Sequence, residues 1–240
     1  MMKDPRQLDK TADGVSLIPK KQLKVLSAHQ RQALERISSS SSAHVIGIDE
    51  VGKGCWAGPV TVAAVVMPRD WDHPEVVDSK RTTHKQRVRL WSEVIYPNAL
   101  ACCVLSATNQ EIDRYGIEPV TRRLTEAAAM YGRLRYHDAL VVEDGDIPVE
   151  VDGSIARVAW LPKADVLVPS VSAASILAKL SRDTFMQQLD RVYPGYDFAS
   201  NMGYHSKTHV EGLDRQGVCG IHRLSFKPVR AYAQVKGVRA

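Results

Sequence analysis

Residues 44–67 read HVIGIDEVGKGCWAGPVTVAAVVM. Two apolar runs flank the adjacent carboxylates Asp49 and Glu50 and a segment containing Gly52, Gly54 and Gly58. Both runs are suited to burial, and a buried carboxylate is costly unless something offsets its charge. Neighbouring side chains of a strand point to opposite faces, so Asp49 faces one side and Glu50 opens the turn. The offset is either Lys53 or a hard divalent cation, because Mg²⁺ and Mn²⁺ prefer carboxylate oxygen and water. This pair constrains the fold more than any other feature: the chain must place the end of a buried strand where charge is tolerated.

The pattern along the chain predicts an α/β domain. Val45–Ile48 and Pro59–Met67 read as two strands of one sheet, the second β-branched and Ala-rich. A basic amphipathic helix follows over about 83–96, then a strand over 100–105. A helical region spans 112–133 with a break near Gly116 and Pro119. Strands over 139–142 and 157–161 come next, followed by the helical segment VSAASILAKLSRD and a helix over 208–215. Ahead of all this, residues 1–43 read as a peripheral extension, with a possible helix over 17–37 closed by the serine run 38–42. The core is expected over 44–230, with a tail over 231–240.

Two further acids stand near strand ends. Asp144 closes the fourth strand and precedes Gly145; Asp165 follows the fifth in Pro162-Lys163-Ala164-Asp165. They are either ordinary solvated strand ends or, with Asp49 and Glu50, a cluster at one edge of the sheet. Such a cluster suits two divalent ions about 4 Å apart, the arrangement that hydrolyses phosphodiesters. The glycine segment is not a P-loop: Gly52-Lys53-Gly54 has the wrong spacing and leads through Pro59 into β-branched residues rather than a helix. A dinucleotide fingerprint fails for the same reason. A turn whose backbone touches a substrate fits better.

Charge and cysteine usage narrow the class. Lys plus Arg exceed Asp plus Glu by 32 to 27, a modest excess that suits a polyanionic partner. Cys55, Cys102, Cys103 and Cys219 form no C-x-x-C pair, and no histidine pair has zinc spacing, so a structural zinc is not expected. No apolar run reaches the roughly 18 residues of a membrane span. The polar N-terminus lacks a signal peptide's apolar stretch, so a cytoplasmic location is expected.

GIDEVGKGCWAGPVTVAAVV resembles the signature of the ribonuclease HII family. The likeness recurs in order in DSKRTTHKQR, KADVLVPSVSAASILAKLSRD, NMGYHSKTH and HRLSF, covering about 44–230. It implies a ribonuclease H-like fold: a mixed five-stranded sheet flanked by helices, with a helical C-terminal region. It also implies four carboxylates with two divalent ions, Mn²⁺ or Mg²⁺. Carried over, the first two acids are Asp49 and Glu50 and the fourth is Asp165. The third ends a strand in an Asp-Gly pair, which here is Asp144-Gly145 or Asp152-Gly153. In this fold the third and fourth acids lie on parallel strands. Asp144 leaves about a dozen residues for the crossover before Arg157, whereas Asp152 leaves too few, so Asp144 is taken. Glu143 departs from the apolar residue usual before that acid.

The resemblance further implies that Gly52, Lys53 and Gly54 form the turn whose amides contact the 2′-hydroxyl, the group that separates RNA from DNA. Lysine here replaces the family's arginine, keeping the charge without the planar fork. Tyr204 matches the tyrosine packing on the deoxyribose after the ribonucleotide. Ser79, Lys80, Ser172, Ser175 and Lys179 match positions that hold phosphates or shape the site; taken alone, Lys179 and Asp183 read as an i,i+4 surface pair. The implied activity is hydrolysis of RNA in RNA–DNA hybrids and incision 5′ of ribonucleotides embedded in duplex DNA, by a monomer. The rivals are a ribonuclease HIII, whose larger N-terminal domain the first 43 residues are too few to form, and a non-catalytic nucleic-acid-binding module, which would gain nothing from clustered acids.

Overall fold

A computed structural model describes residues 10–11, 14–15, 40–76, 79, 82–145, 158–160 and 162–235. The helix expected over 17–37 lies outside them, as do Lys80 and Asp152. Five strands form one sheet: β1 (His44–Val51), β2 (Val60–Pro68), β3 (Ala101–Ala107), β4 (Leu140–Glu143) and β5 (Val158–Trp160), in the order β3-β2-β1-β4-β5. β4 pairs parallel with both β1 and β5. Only residues 52–59 link the neighbouring strands β1 and β2, too few for a parallel crossover, so that pair is antiparallel and the sheet is mixed. Lys10–Thr11 and Gly14–Val15 form a separate antiparallel pair.

The helices are α1 (His84–Arg89), α2 (Asn109–Tyr115), α3 (Ile117–Arg133), α4 (Ala164–Leu167), α5 (Pro169–Val192), α6 (Phe198–Asn201), α7 (Lys207–Gln216) and α8 (Lys227–Val235). The single helix expected over 83–96 is α-helical only to Arg89; Leu90–Ile95 is wound as a π-helix, with Tyr96 N–H reaching Trp91 O at 2.8 Å. The break expected near Gly116 and Pro119 falls at Gly116 alone, where φ is 87°. Pro119 sits in the first turn of α3, where its missing N–H costs nothing.

The chain divides into two compact units. One comprises Met1–Asp49, Ala63–Cys103 and Thr125–Leu177; the other comprises Glu50–Val62, Val104–Leu124 and Ala178–Ala240. In the first, Val45, Ile46 and Ile48 of β1 and Ala63–Met67 of β2 are buried, as befits strands covered on both faces. A side chain at Gly47 would stand 2.1 Å from the Ser170 backbone, so only glycine lets the start of α5 lie against β1. In the second unit, Ala57, Met186, Tyr196, Phe198 and Leu213 make one apolar cluster. Val60, Ala107, Ile112 and Val120 make another, with Phe226 packed against it.

Candidate metal centre

In the first unit three acids meet. The parallel register pairs Ile48 with Glu143, so the next residues, Asp49 and Asp144, come side by side, and Asp144 N–H donates to Ile48 O at 3.1 Å. Beyond β5, Lys163 takes φ 64°, and α4 then carries Asp165 back towards the strand ends. Ala164 N–H donates to Asp144 Oδ1 at 3.0 Å. Asp49, Asp144 and Asp165 each offer one oxygen, and these lie within 4.8 Å of one another. Asp49 and Asp165 are 8% and 3% exposed. Three negative charges this close repel by a few kcal/mol per pair at an effective dielectric of about 20. The arrangement therefore favours a bound cation. An all-carboxylate donor set suits a hard divalent ion, so the residues fit the metal that the sequence implied.

The serines expected to shape the site, Ser79, Ser172 and Ser175, are all buried. Ser172 Oγ donates to the Asp165 carbonyl at 2.6 Å, tying α4 to α5. Ser79 and Ser175 hydroxyls share a buried 2.8 Å hydrogen bond. Glu143, at the end of β4, is buried as well.

The second unit holds the other sequence-predicted residues. Glu50 is the penultimate residue of β1 rather than part of the turn. It is not one of the three clustered acids, and its carboxylate lies 3.3 Å from Lys53 Nζ. Lys53 also lies 3.5 Å from Glu118. Burial pulls the Lys53 ammonium down, but Glu50 and Glu118 together outweigh it and hold its pKa above the usual lysine range. Lys179 Nζ bonds Asp183 at 2.8 Å. Asp183 is buried and Lys179 half-buried, so the pair lies deeper than the surface pair expected from its spacing. The Tyr204 ring is 40% exposed; burial of its hydroxyl, aided by the neighbouring Cys55, pushes it up to about 12.

Sequence reasoning missed two buried guanidinium groups beneath the glycine turn. Arg182 donates to the carbonyls of Pro59, Ala57 and Met202 at 2.9, 3.2 and 2.8 Å. Arg223 donates to those of Gly58 and Lys53 at 3.0 and 2.8 Å. Desolvation lowers Arg223 to about 10. One signal was available for Arg182: on α5 it stands four residues from Ala178 and four from Met186, both fully buried, so it occupies a core position of the helix.

The ribonuclease HII family profile matches residues 46–229. The chain belongs to the ribonuclease HII family. The ribonuclease HII of Ligilactobacillus salivarius is 40% identical over 187 residues, covering 78% of this chain and 71% of that protein. That of Hyphomonas neptunium is 38% identical over 201 residues, 78% of this chain and 95% of its own. Among solved structures, Archaeoglobus fulgidus RNase HII, determined in complex with PCNA, superposes with a TM-score of 0.63 at 26% identity, covering 78% of this chain and 96% of that one. A ribonuclease HIII determined with Mn²⁺ has a TM-score of 0.63 at 20% identity, covering 95% of this chain and 79% of its own, and shares the fold. This ribonuclease HII family member is thus a ribonuclease H endonuclease of a family that acts on RNA–DNA hybrids with divalent metals. Among the described residues no helix is long and apolar enough to cross a membrane.

Proposed function

We propose that this enzyme cuts the RNA strand of RNA–DNA hybrids and incises duplex DNA on the 5′ side of an embedded ribonucleotide, leaving a 3′-hydroxyl and a 5′-phosphate. The observation that carries the reading is the convergence of Asp49, Asp144 and Asp165 oxygens within 4.8 Å. These three acids would hold the ions, and Glu50 would complete the ligand set. When bound there, two divalent ions, Mg²⁺ or Mn²⁺, would supply a water of lowered pKa and charge stabilisation for the leaving 3′-oxygen. The chain itself selects and orients the substrate. Amides of the 52–54 turn read the 2′-hydroxyl, and Lys53 faces a phosphate. Ser79, Lys80, Ser172, Ser175 and Lys179 shape the phosphate path, and Tyr204 packs on the deoxyribose that follows the ribonucleotide. In this reading residues 44–230 form the catalytic domain of a cytoplasmic monomer acting in ribonucleotide removal, flanked by an N-terminal extension and a short tail.

The test is a cleavage assay on duplex DNA carrying one ribonucleotide. Wild-type protein cuts with Mn²⁺ or Mg²⁺ and stops in EDTA. Asp49→Asn loses at least about 10³-fold in kcat while still binding hybrid, since it removes charge stabilisation at the reacting phosphate. Near wild-type cutting by Asp49→Asn, or undiminished cutting in EDTA, defeats the proposal.

A further inference from the structure

Outside the carboxylate centre, the second unit contains a chain of buried polar contacts that ends on Tyr204. Tyr204 O lies 2.8 Å from His209 Nδ1. A carbonyl only accepts, so His209 Nδ1 carries the proton, and in a neutral ring Nε2 is then an acceptor. His209 Nε2 faces His222 Nε2 at 3.0 Å, so His222 Nε2 must donate. His222 Nδ1 is left to accept, and Cys219 N–H stands 2.8 Å away and its Sγ 3.2 Å. One direction of donation satisfies every member: Cys219 to His222 to His209 to Tyr204. Both rings are essentially inaccessible, at 0% and 1% exposure. Burial lowers both below the usual histidine range, His222 to about 4. Tyr196 and Phe198 stack on each other at 5.1 Å, and the histidine rings pack edge-on against them, His209 5.2 Å from Phe198 and His222 4.9 Å from Tyr196.

The segment so held is under backbone strain. Met202 and Gly203 both take left-handed backbone angles, φ 53° and 80°, and a side chain at Gly203 would stand 2.4 Å from Ala57 O. Such conformations persist only where their surroundings over-determine them. The far end of the relay is tied to the glycine turn: His222 bridges Ala57, Arg223 N–H donates to Trp56 O at 2.8 Å, and Trp56 N–H donates to Gly203 O at 2.8 Å. Asn109 Nδ2 fixes the carbonyls of Gly220 and His222 at 3.1 Å each. The neutral histidine pair therefore buttresses the turn carrying Tyr204 against the glycine turn, which Arg182 and Arg223 hold independently.

We infer that His209 and His222 are positioning residues that set the Tyr204 ring for recognition of the sugar following a ribonucleotide, and so govern preference for RNA-to-DNA junctions over long hybrids. The inference rests on the reading of Tyr204 given under Proposed function. His209 acts through the Tyr204 carbonyl, and His222 acts through His209. A long hybrid offers many registers and depends less on one sugar contact.

The test is a double-mutant cycle read on two substrates, duplex DNA with one ribonucleotide and a long RNA–DNA hybrid. His209→Phe keeps the ring packing and removes both hydrogen bonds. It is expected to lower kcat/KM on the single-ribonucleotide duplex about tenfold while long-hybrid cleavage stays within about twofold, the scale of losing a neutral hydrogen bond. His209→Asn, whose amide restores the donor to Tyr204 O, recovers most of the loss. Adding His209→Phe to Tyr204→Ala costs nothing further. Equal losses on both substrates, or losses that multiply in the double variant, overturn the inference. Should His209→Phe fail to fold, His222→Asn, which keeps the Cys219 contact and releases His209, is read in the same cycle with the same expectations. If Tyr204→Ala alone leaves single-ribonucleotide incision intact, the reading of Tyr204 fails and takes this inference with it, an outcome separate from the others.

Discussion

The carboxylate group of the first unit and the glycine turn of the second handle buried charge in opposite ways. Asp49, Asp144 and Asp165 gather like charges with oxygens within 4.8 Å, an arrangement that a cation completes. Beneath the turn, Arg182 and Arg223 are also almost wholly inaccessible, yet five main-chain carbonyls accept from them. Buried guanidinium groups held mainly by carbonyl dipoles rigidify a segment without needing any ligand, even though Arg223 Nη2 is buried with no hydrogen-bond partner. The clustered acids suit a bound cation, whereas the guanidinium groups are held chiefly by main-chain carbonyls, so perturbing the two regions should move stability in opposite directions.

The largest effect is expected at the turn. Gly52 has φ 92°, and a side chain there would stand 2.2 Å from Arg182 Nε. Arg182 has no room to retreat. Gly52→Ala combines a strained backbone with overpacking and should cost about 4 kcal/mol in denaturant unfolding. A loss below about 1 kcal/mol would mean the turn is pliable and the contrast is false.

A smaller effect comes from the histidine pair behind that turn. His222 falls from 6.5 in the unfolded chain to about 4 when folded, and His209 is also lowered. The unfolded chain therefore binds protons that the folded chain does not, and stability falls as pH drops from 6.5 to about 4, then levels off. For His222 the loss is about 3 kcal/mol at most. Urea unfolding of wild type and His222→Asn across that range checks it: the variant should show a shallower decline. Parallel curves would remove the pair from the account.

How far the sequence disclosed this follows from the same contrast. The strand ends were legible because apolar runs gave way to acids near Asp49 and Asp144, and a parallel register brings such ends together; Asp165 was expected to follow a strand end and stands on a short helix beyond one. The turn's foundations were not legible. A lone arginine in a charged helix reads as a surface residue, and only its i±4 register with Ala178 and Met186 marks Arg182 as interior. His209 and His222 are 13 residues apart, and nothing local announces that they face one another. Lys179 and Asp183 had helical spacing but no signal of depth. Glu50 belonged in the sequence to the acidic pair; strand alternation turns adjacent side chains apart, and its carboxylate lies beside Lys53.

The carboxylate group yields the smallest but most discriminating effect. Without metal, Asp49→Asn removes one of three mutually repelling charges. Thermal unfolding in EDTA should then show the variant about 1 kcal/mol more stable than wild type, or a few degrees in Tm. With Mn²⁺ the order should reverse, because ligand binding to the folded state stabilises wild type by RT ln(1 + [L]/Kd) and the variant by much less. Gains in activity and in metal-free stability are thus opposed at this position, as expected where a site is strained for function. If Asp49→Asn is less stable in both conditions, the acids are held by their own hydrogen bonds. The group would then be as self-sufficient as the turn, and the difference between the two regions would vanish.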